Sequence, residues 1–174
     1  MTKNIIPTGN ERFFEEDEII VSKTDTKGRI TYTNDTFIKI SGYKEKKLIG
    51  KPHSLIRHQD MPRCVFKLLW DTLESKNEIF AYVVNMAKNG DHYWVFAHVT
   101  PSYDNDGNII AYHSNRRVPR REPLENVIIP LYKTLLDEEK KHNNRKEGMQ
   151  SAFNMLLKIL EEKGVGYDEF ILSI

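Results

Sequence analysis

A single cysteine, Cys64, stands in the whole chain, so no internal disulfide can form, and such usage suits a reducing cytosol. Long apolar runs are missing as well. Nothing approaches the roughly eighteen consecutive apolar residues of a membrane-spanning helix, and the N-terminus lacks a signal-peptide core. Neither charge sign dominates: 26 Lys and Arg stand against 25 Asp and Glu, which gives no reason to expect nucleic acid or an anionic membrane as the main partner. Catalytic signatures are absent too, with no P-loop, no G-x-G-x-x-G, no Ser–His–Asp order and no His/Cys spacing for zinc. These absences point to a soluble, cytoplasmic protein that is not an enzyme, without catalytic residues and without a metal site.

What is present suffices for one domain plus an extension, with 39% hydrophobic residues over 174 positions. Polar residues 1–17 read as an arm that Phe13 and Phe14 can pin to the domain or to a second copy, or as a frayed terminus. Residues 19–23 and 29–32 read as two strands around a turn. Asn34-Asp35 opens a short helix whose apolar face is Phe37 and Ile40 and whose stop is Gly42. Asn34 is either the cap of that helix or a ligand contact. Residues 61–73 have helical spacing, with Val65, Leu68, Leu69 and Leu73 in one stripe. Phe66 and Trp70, four apart, share a side of that helix, as core or as a π-face for a ring.

Three strands follow at 78–87, 92–103 and 109–117. Asn89-Gly90 reads as a two-residue hairpin in which both positions take positive φ. Alternation places Ala81, Val83, Asn85 and Ala87 on one face. An amide among small apolar neighbours needs a partner, because a buried unpaired polar group costs roughly 1–3 kcal/mol. Tyr93, Val95, Ala97 and Val99 share one face of the next strand; Trp94, Phe96 and His98 share the other. Both faces are apolar enough to be covered, and alternation alone does not say which lines a pocket. His113 and Asn115 share a face of the last strand. Arg116, Arg117, Arg120 and Arg121 crowd the exit, as a solvated linker or as a match for an acidic partner. Beyond them, Leu124, Val127, Ile128, Leu131 and Leu135 form a stripe broken or kinked at Pro130. Phe153, Leu156, Leu157 and Leu160 form a second stripe, ended by Gly164 and Gly166. The two helices can pair with each other or dock on another protein.

The most polar stretch between helical patterns is Arg57-His58-Gln59-Asp60-Met61-Pro62. An arginine fork, an imidazole and a carboxylate within four residues can hold a phosphorylated ligand. They can equally form a solvated turn with an internal Arg–Asp pair.

The setting of that stretch carries a resemblance. Thr33-Asn34-Asp35-Thr36-Phe37, Ser41-Gly42-Tyr43, Gly50-Lys51-Pro52-His53, Arg57-His58-x-Asp60-Met61-Pro62, Trp70 and Lys88-Asn89-Gly90-Asp91-His92-Tyr93-Trp94-Val95 together resemble the PAS domain of bacterial aerotaxis receptors. The resemblance runs from about Val21 to Val118. It implies an α+β PAS fold, a five-stranded antiparallel sheet with short helices on one face, here followed by a C-terminal helical extension. The expected division is 1–17 arm, 18–120 sensor domain and 121–174 amphipathic helices. The family carries FAD. The resemblance implies that Arg57, His58 and Asp60 hold its adenine–diphosphate end and that Asn85 faces the isoalloxazine edge. Asn34, His53, Trp70 and Tyr93 complete the implied cofactor-binding set. For Asn85 a cross-strand hydrogen bond is the alternative. The light-sensing flavin branch of the PAS class has its adduct-forming cysteine at about the position of His53, and Cys64 lies eleven residues later. The flavin is therefore expected to report redox state and not light.

The functional expectation is a cytosolic redox sensor for energy taxis. Receptors of this kind continue into a membrane anchor and a signalling coiled coil, which this sequence lacks. Its output is therefore expected to pass to a separate membrane-bound chemoreceptor-like protein that recruits it to the membrane face. Homodimerisation is compatible with the helical stripes. Two alternatives remain at this level: a ligand-free PAS interaction module, and a haem-binding gas sensor.

Overall fold

The computed structural model describes residues 5–174. β1 (Ile20–Asp25) and β2 (Ile30–Thr33) pair as the opening hairpin. After β2, Asn34 caps α1 (Asp35–Ser41), its Oδ1 accepting from Phe37 N–H, and Gly42 ends that helix. A short α2 (Glu45–Leu48) and a single 3₁₀ turn (His53–Ile56) follow, then α3 (Arg63–Glu74). β3 (Ile79–Met86), β4 (His92–Tyr103) and β5 (Ile109–Arg117) complete a five-stranded antiparallel sheet in the order β2-β1-β5-β4-β3. The first strand is thus central, hydrogen-bonded to the last.

One aromatic contact tells the two sheet faces apart. Tyr82 of β3 and Phe96 of β4 stack with ring centroids 4.9 Å apart, so they share a face. Strand alternation then puts Val83, Asn85 and Ala87 on the opposite face, together with Tyr93, Val95 and Ala97. Register extends that second face across the sheet: Ala97 pairs with Arg116, Arg116 with Ile20, and Ser22 with Ser114 and Thr33. Residues directly opposite in an antiparallel ladder project to the same side. This face is closed from water, with Ile20, Val95 and Tyr93 fully buried.

The β3–β4 turn departs from the two-residue hairpin. Ala87 N–H donates to Asp91 C=O at 2.7 Å and Gly90 N–H to Ala87 C=O at 3.0 Å, enclosing three residues of which only Gly90 has positive φ. A type I turn closed by a left-handed glycine fits that pattern. Gly90 also lies against the N-terminal arm, since a Cβ there would sit 2.2 Å from Ile6 O. Polar contacts hold the arm, while Phe13 is 70% exposed and Phe14 half-buried. Arg12 Nε donates to Asp91 at 2.9 Å, Arg12 Nη1 to Ile40 C=O, and Thr8 N–H to Gly90 C=O.

The described chain divides into two compact units, the first running up to His58 and resuming at Tyr82–Pro119, the second Gln59–Ala81 with Arg120–Ile174. Helix α3, expected as part of the sensor domain, therefore groups with the C-terminal helices. In that second unit α4 (Arg121–Pro123) leads into a π turn (Leu124–Ile128), α5 (Ile129–Lys140), α6 (Arg145–Lys163) and α7 (Tyr167–Ser173). Pro130 does not break the helix. It lies at the start of α5, just after the wide turn in which Ile129 N–H reaches Leu124 C=O. The wider turn is the physical accommodation for a residue that lacks an N–H and crowds the carbonyl four places back. On α6 the buried stripe is Ala152, Leu156 and Leu160, while Leu157 is 44% exposed. Close approach of α5 and α6 needs Gly148, whose Cβ would lie 2.3 Å from Glu139 O. Among the described residues no helix is long and apolar enough to cross a membrane.

Candidate ligand site on the inner face of the sheet

Arg116 is the residue that the sequence placed wrongly. It does not belong to a solvated exit: it is 3% exposed, on the closed face of β5. Its alternation with Tyr112 and Ser114 was the available sign. Arg116 Nη2 donates to Ser22 Oγ and to His53 Nε2, the latter at 2.7 Å, and the guanidinium carbon sits 5.3 Å from the Phe37 ring centroid. An arginine has only donors. His53 Nε2 must therefore accept, which fixes the ring as neutral with its proton on Nδ1. Burial, with Arg116 second, pushes the His53 pKa down to about 3, in keeping with that tautomer. Although His53 as a residue is partly exposed, its Nε2 is turned inward against Ser22 at 3.3 Å and Arg116.

Four polar side-chain atoms on this one face are buried and have no hydrogen-bond partner among the described residues: Thr33 Oγ1, Asn85 Nδ2, Tyr93 Oη and Arg116 Nη1. The other such atom, Tyr167 Oη, belongs to the second unit. Folded proteins pair nearly all their buried polar groups, and each orphan costs about 1–3 kcal/mol, more when charged. Arg116 is the extreme case. Burial pulls its pKa down to about 10, still leaving it charged at neutral pH, and no carboxylate faces it among the described residues. Burial also raises the pKa of Tyr93, so its hydroxyl stays a neutral donor. An apolar wall of Ile20, Phe37, Val95 and Ala97 with a few outward-aimed donors is the make-up of a small-molecule site.

The sequence-predicted residues fall into three groups. Asn85, Tyr93 and His53 are on or against this face. Asn34 is held by the scaffold: its Oδ1 accepts from Phe37 and Val21 N–H, and its Nδ2 donates to Ile19 C=O at 2.7 Å. Arg57 bridges Asn85 through the backbone in an isolated antiparallel pair, which ties the Arg57-His58 segment to β3. His58 is 5% exposed, with its ring 5.6 Å from that of His92. Exposed Asp60 and half-buried Trp70 belong to the second unit. There Cys64 is fully buried and its thiol is pushed up to about 12, by burial first and Glu139 second. It is no thiolate nucleophile at neutral pH. Arg116 and Thr33 were missed. Asn115, on the opposite face, meets His113 at 3.1 Å and takes no part in the site.

A family model described as the PAS fold matches residues 30–115. The light-state structure of the blue-light photoreceptor Aureochrome1 LOV superposes with a TM-score of 0.54 at 20% identity, covering 70% of this chain and 91% of that one. Residues 30–115 adopt the PAS fold. Among curated proteins, the aerotaxis receptor of Escherichia coli K12 is 41% identical over 120 residues, 69% of this chain and 23% of the receptor. The nitrogen fixation regulatory protein of Klebsiella pneumoniae is 27% identical over 103 residues, 59% of this chain and 21% of that protein. The chain thus spans less than a quarter of the length of either relative. A light-oxygen-voltage domain studied with a flavin analogue shares the PAS fold at a TM-score of 0.55 and 16% identity, covering 71% of this chain and 88% of that one.

Proposed function

We propose that this protein is a cytoplasmic redox sensor whose PAS domain binds a flavin, FAD by its likeness to aerotaxis receptors, and which reports redox state to a separate, membrane-bound chemoreceptor-like protein. It signals by binding and turns over no substrate. The observation that carries the reading is the set of four orphaned polar atoms on a single closed sheet face. The fit to a flavin ring is chemical: a ring edge rich in carbonyl oxygens and ring nitrogens calls for donors, and Asn85 Nδ2, Tyr93 Oη and Arg116 Nη1 are donors. The 41% identity with an aerotaxis receptor supports the flavin and a taxis role. His53 at the position of the light-sensing cysteine, with Cys64 buried and protonated, supports redox over light.

Bound there, a flavin would supply a reversible two-electron couple. The chain's own residues do the rest. Asn85 and Tyr93 orient the ring edge by donating to it, and Phe37, Val95 and Ala97 exclude water. Arg57 and His58, tied to β3 beside Asn85, would hold the phosphate-bearing end. A sensor reads redox state only if it binds the two forms with different free energy. About 1.4 kcal/mol of difference corresponds to roughly 30 mV for a two-electron couple, so one changed hydrogen bond on this face is enough.

The visible spectrum of freshly purified protein, before and after dithionite, tests this reading. The expected result is the yellow, two-banded spectrum of oxidised flavin, bleached on reduction. A Soret band would replace the reading with haem. Colourless protein that takes up no added FAD would leave an interaction module.

A further inference from the structure

Arg116 goes beyond holding a ring in place. Arg116 is 3% exposed, and its guanidinium has no carboxylate partner among the described residues and keeps Nη1 unpaired while Nη2 is fixed by His53 and Ser22. A buried cation without a counter-charge is among the costliest things a fold can hold. Such a group persists where a ligand brings the opposite charge, or acquires it. We propose that Arg116 is the charge-reading residue of the site: it stabilises the negative charge of the reduced flavin ring, so that reduction is stored as an ion pair with Arg116 and not as a second ring proton. The inference rests on the flavin reading above.

The step balances as follows. The oxidised ring takes two electrons and one proton, the proton on the central nitrogen, N5. The pyrimidine-side nitrogen N1, which in water binds a further proton near neutral pH, stays deprotonated opposite the guanidinium. In the test the electrons come from dithionite, which is oxidised to sulfite. His53 and Ser22 are positioning residues that fix Nη2 and leave Nη1 to the ligand. The groups around Arg116 do not themselves titrate across neutral pH. From the 3₁₀ turn, His53 is neutral above about pH 3. From β4, Tyr93 is held protonated by burial, and its charged or titratable neighbours are Tyr43, whose pKa burial raises, and Arg12. Ser22 from β1 and Phe37 from α1 carry no charge. The pH dependence of the couple therefore reports the ring protons.

The midpoint potential of the purified flavoprotein, titrated with dithionite across neutral pH, tests this. One proton per two electrons gives a slope of about 30 mV per pH unit, and two protons give about twice that. Wild type is expected to follow the shallower slope. Arg116→Gln is expected to keep its flavin, to lose at least tenfold in the preference for reduced over oxidised flavin (a fall of about 30 mV), and to steepen the slope. Arg116→Lys, which keeps the charge, should restore the shallow slope. A yellow wild type with the two-proton slope, or an Arg116→Gln protein with unchanged potential and slope, overturns the inference and leaves the flavin reading standing. A wild type that binds no flavin overturns both. Should Arg116→Gln fail to fold, the wild-type slope decides alone.

Discussion

On the sheet face that carries Trp94, Phe96 and His98, polar groups are half-buried and reach one another or the surface, as His113 and Asn115 do at 3.1 Å. On the face that carries Tyr93, Val95 and Ala97, four polar atoms are buried with no partner among the described residues. The same three central strands build both faces, so strand propensity and register do not explain the difference. Among the described residues the first face holds no buried polar side-chain atom without a partner. The second keeps polar atoms that find no partner among the described residues, at a cost of roughly 1–3 kcal/mol each that a bound ligand would offset.

The contrast can be broken by mutation, and the largest effect should come from its wall. Phe37, fully buried under the guanidinium, should cost roughly 3–5 kcal/mol on change to alanine. Phe96→Ala, on the half-buried face, should cost less than half as much; urea unfolding of both variants measures the ratio. Acid should act next. Folded His53 has a pKa of about 3 against an ordinary 6.5, so below 6.5 the unfolded chain binds a proton that the folded chain refuses. Stability is then complete above about pH 6.5 and is lost as pH falls toward 3, by at most about 1.4 kcal/mol per pH unit. His53→Gln, which still offers Arg116 an acceptor, should remove that part of the slope, and melting curves at several pH values compare the two. Tyr93→Phe should stabilise the flavin-free protein by about 1–3 kcal/mol by deleting an orphaned hydroxyl. Arg117→Gln, one residue from Arg116 but on the exposed side, should change stability by less than about 0.5 kcal/mol.

Much of the fold was legible because its period is simple. Strands β4 and β5 span the expected residues 92–103 and 109–117, and Asn34-Asp35 marks a helix start through side-chain acceptors. What was not legible depended on contacts far apart in the chain. Both faces of β4 read as apolar, and only the stack of Tyr82 on Phe96 separated them. The arm was read either as docked through Phe13 and Phe14 or as frayed; the ion pair from Arg12 to Asp91 that helps hold it had no sequence sign. In the site, Asn85 and Tyr93 were named from resemblance and lie on the orphan-bearing face. Arg116 was lost in a run of four arginines that composition makes look like a linker, although period two from Tyr112 points it inward. Pro130 was read as breaking or kinking the helix; the π turn that accommodates it leaves no sequence mark.

The most direct measurement is the melting temperature of flavin-free protein titrated with FAD, for wild type and for the combined Thr33→Val, Asn85→Leu, Tyr93→Phe variant. Wild type should climb, by the equivalent of about 2.7 kcal/mol at a hundredfold excess over Kd, while the variant starts more stable and climbs less. A variant that climbs as far as wild type would contradict the account, because the unpaired atoms would then have nothing to do with the ligand.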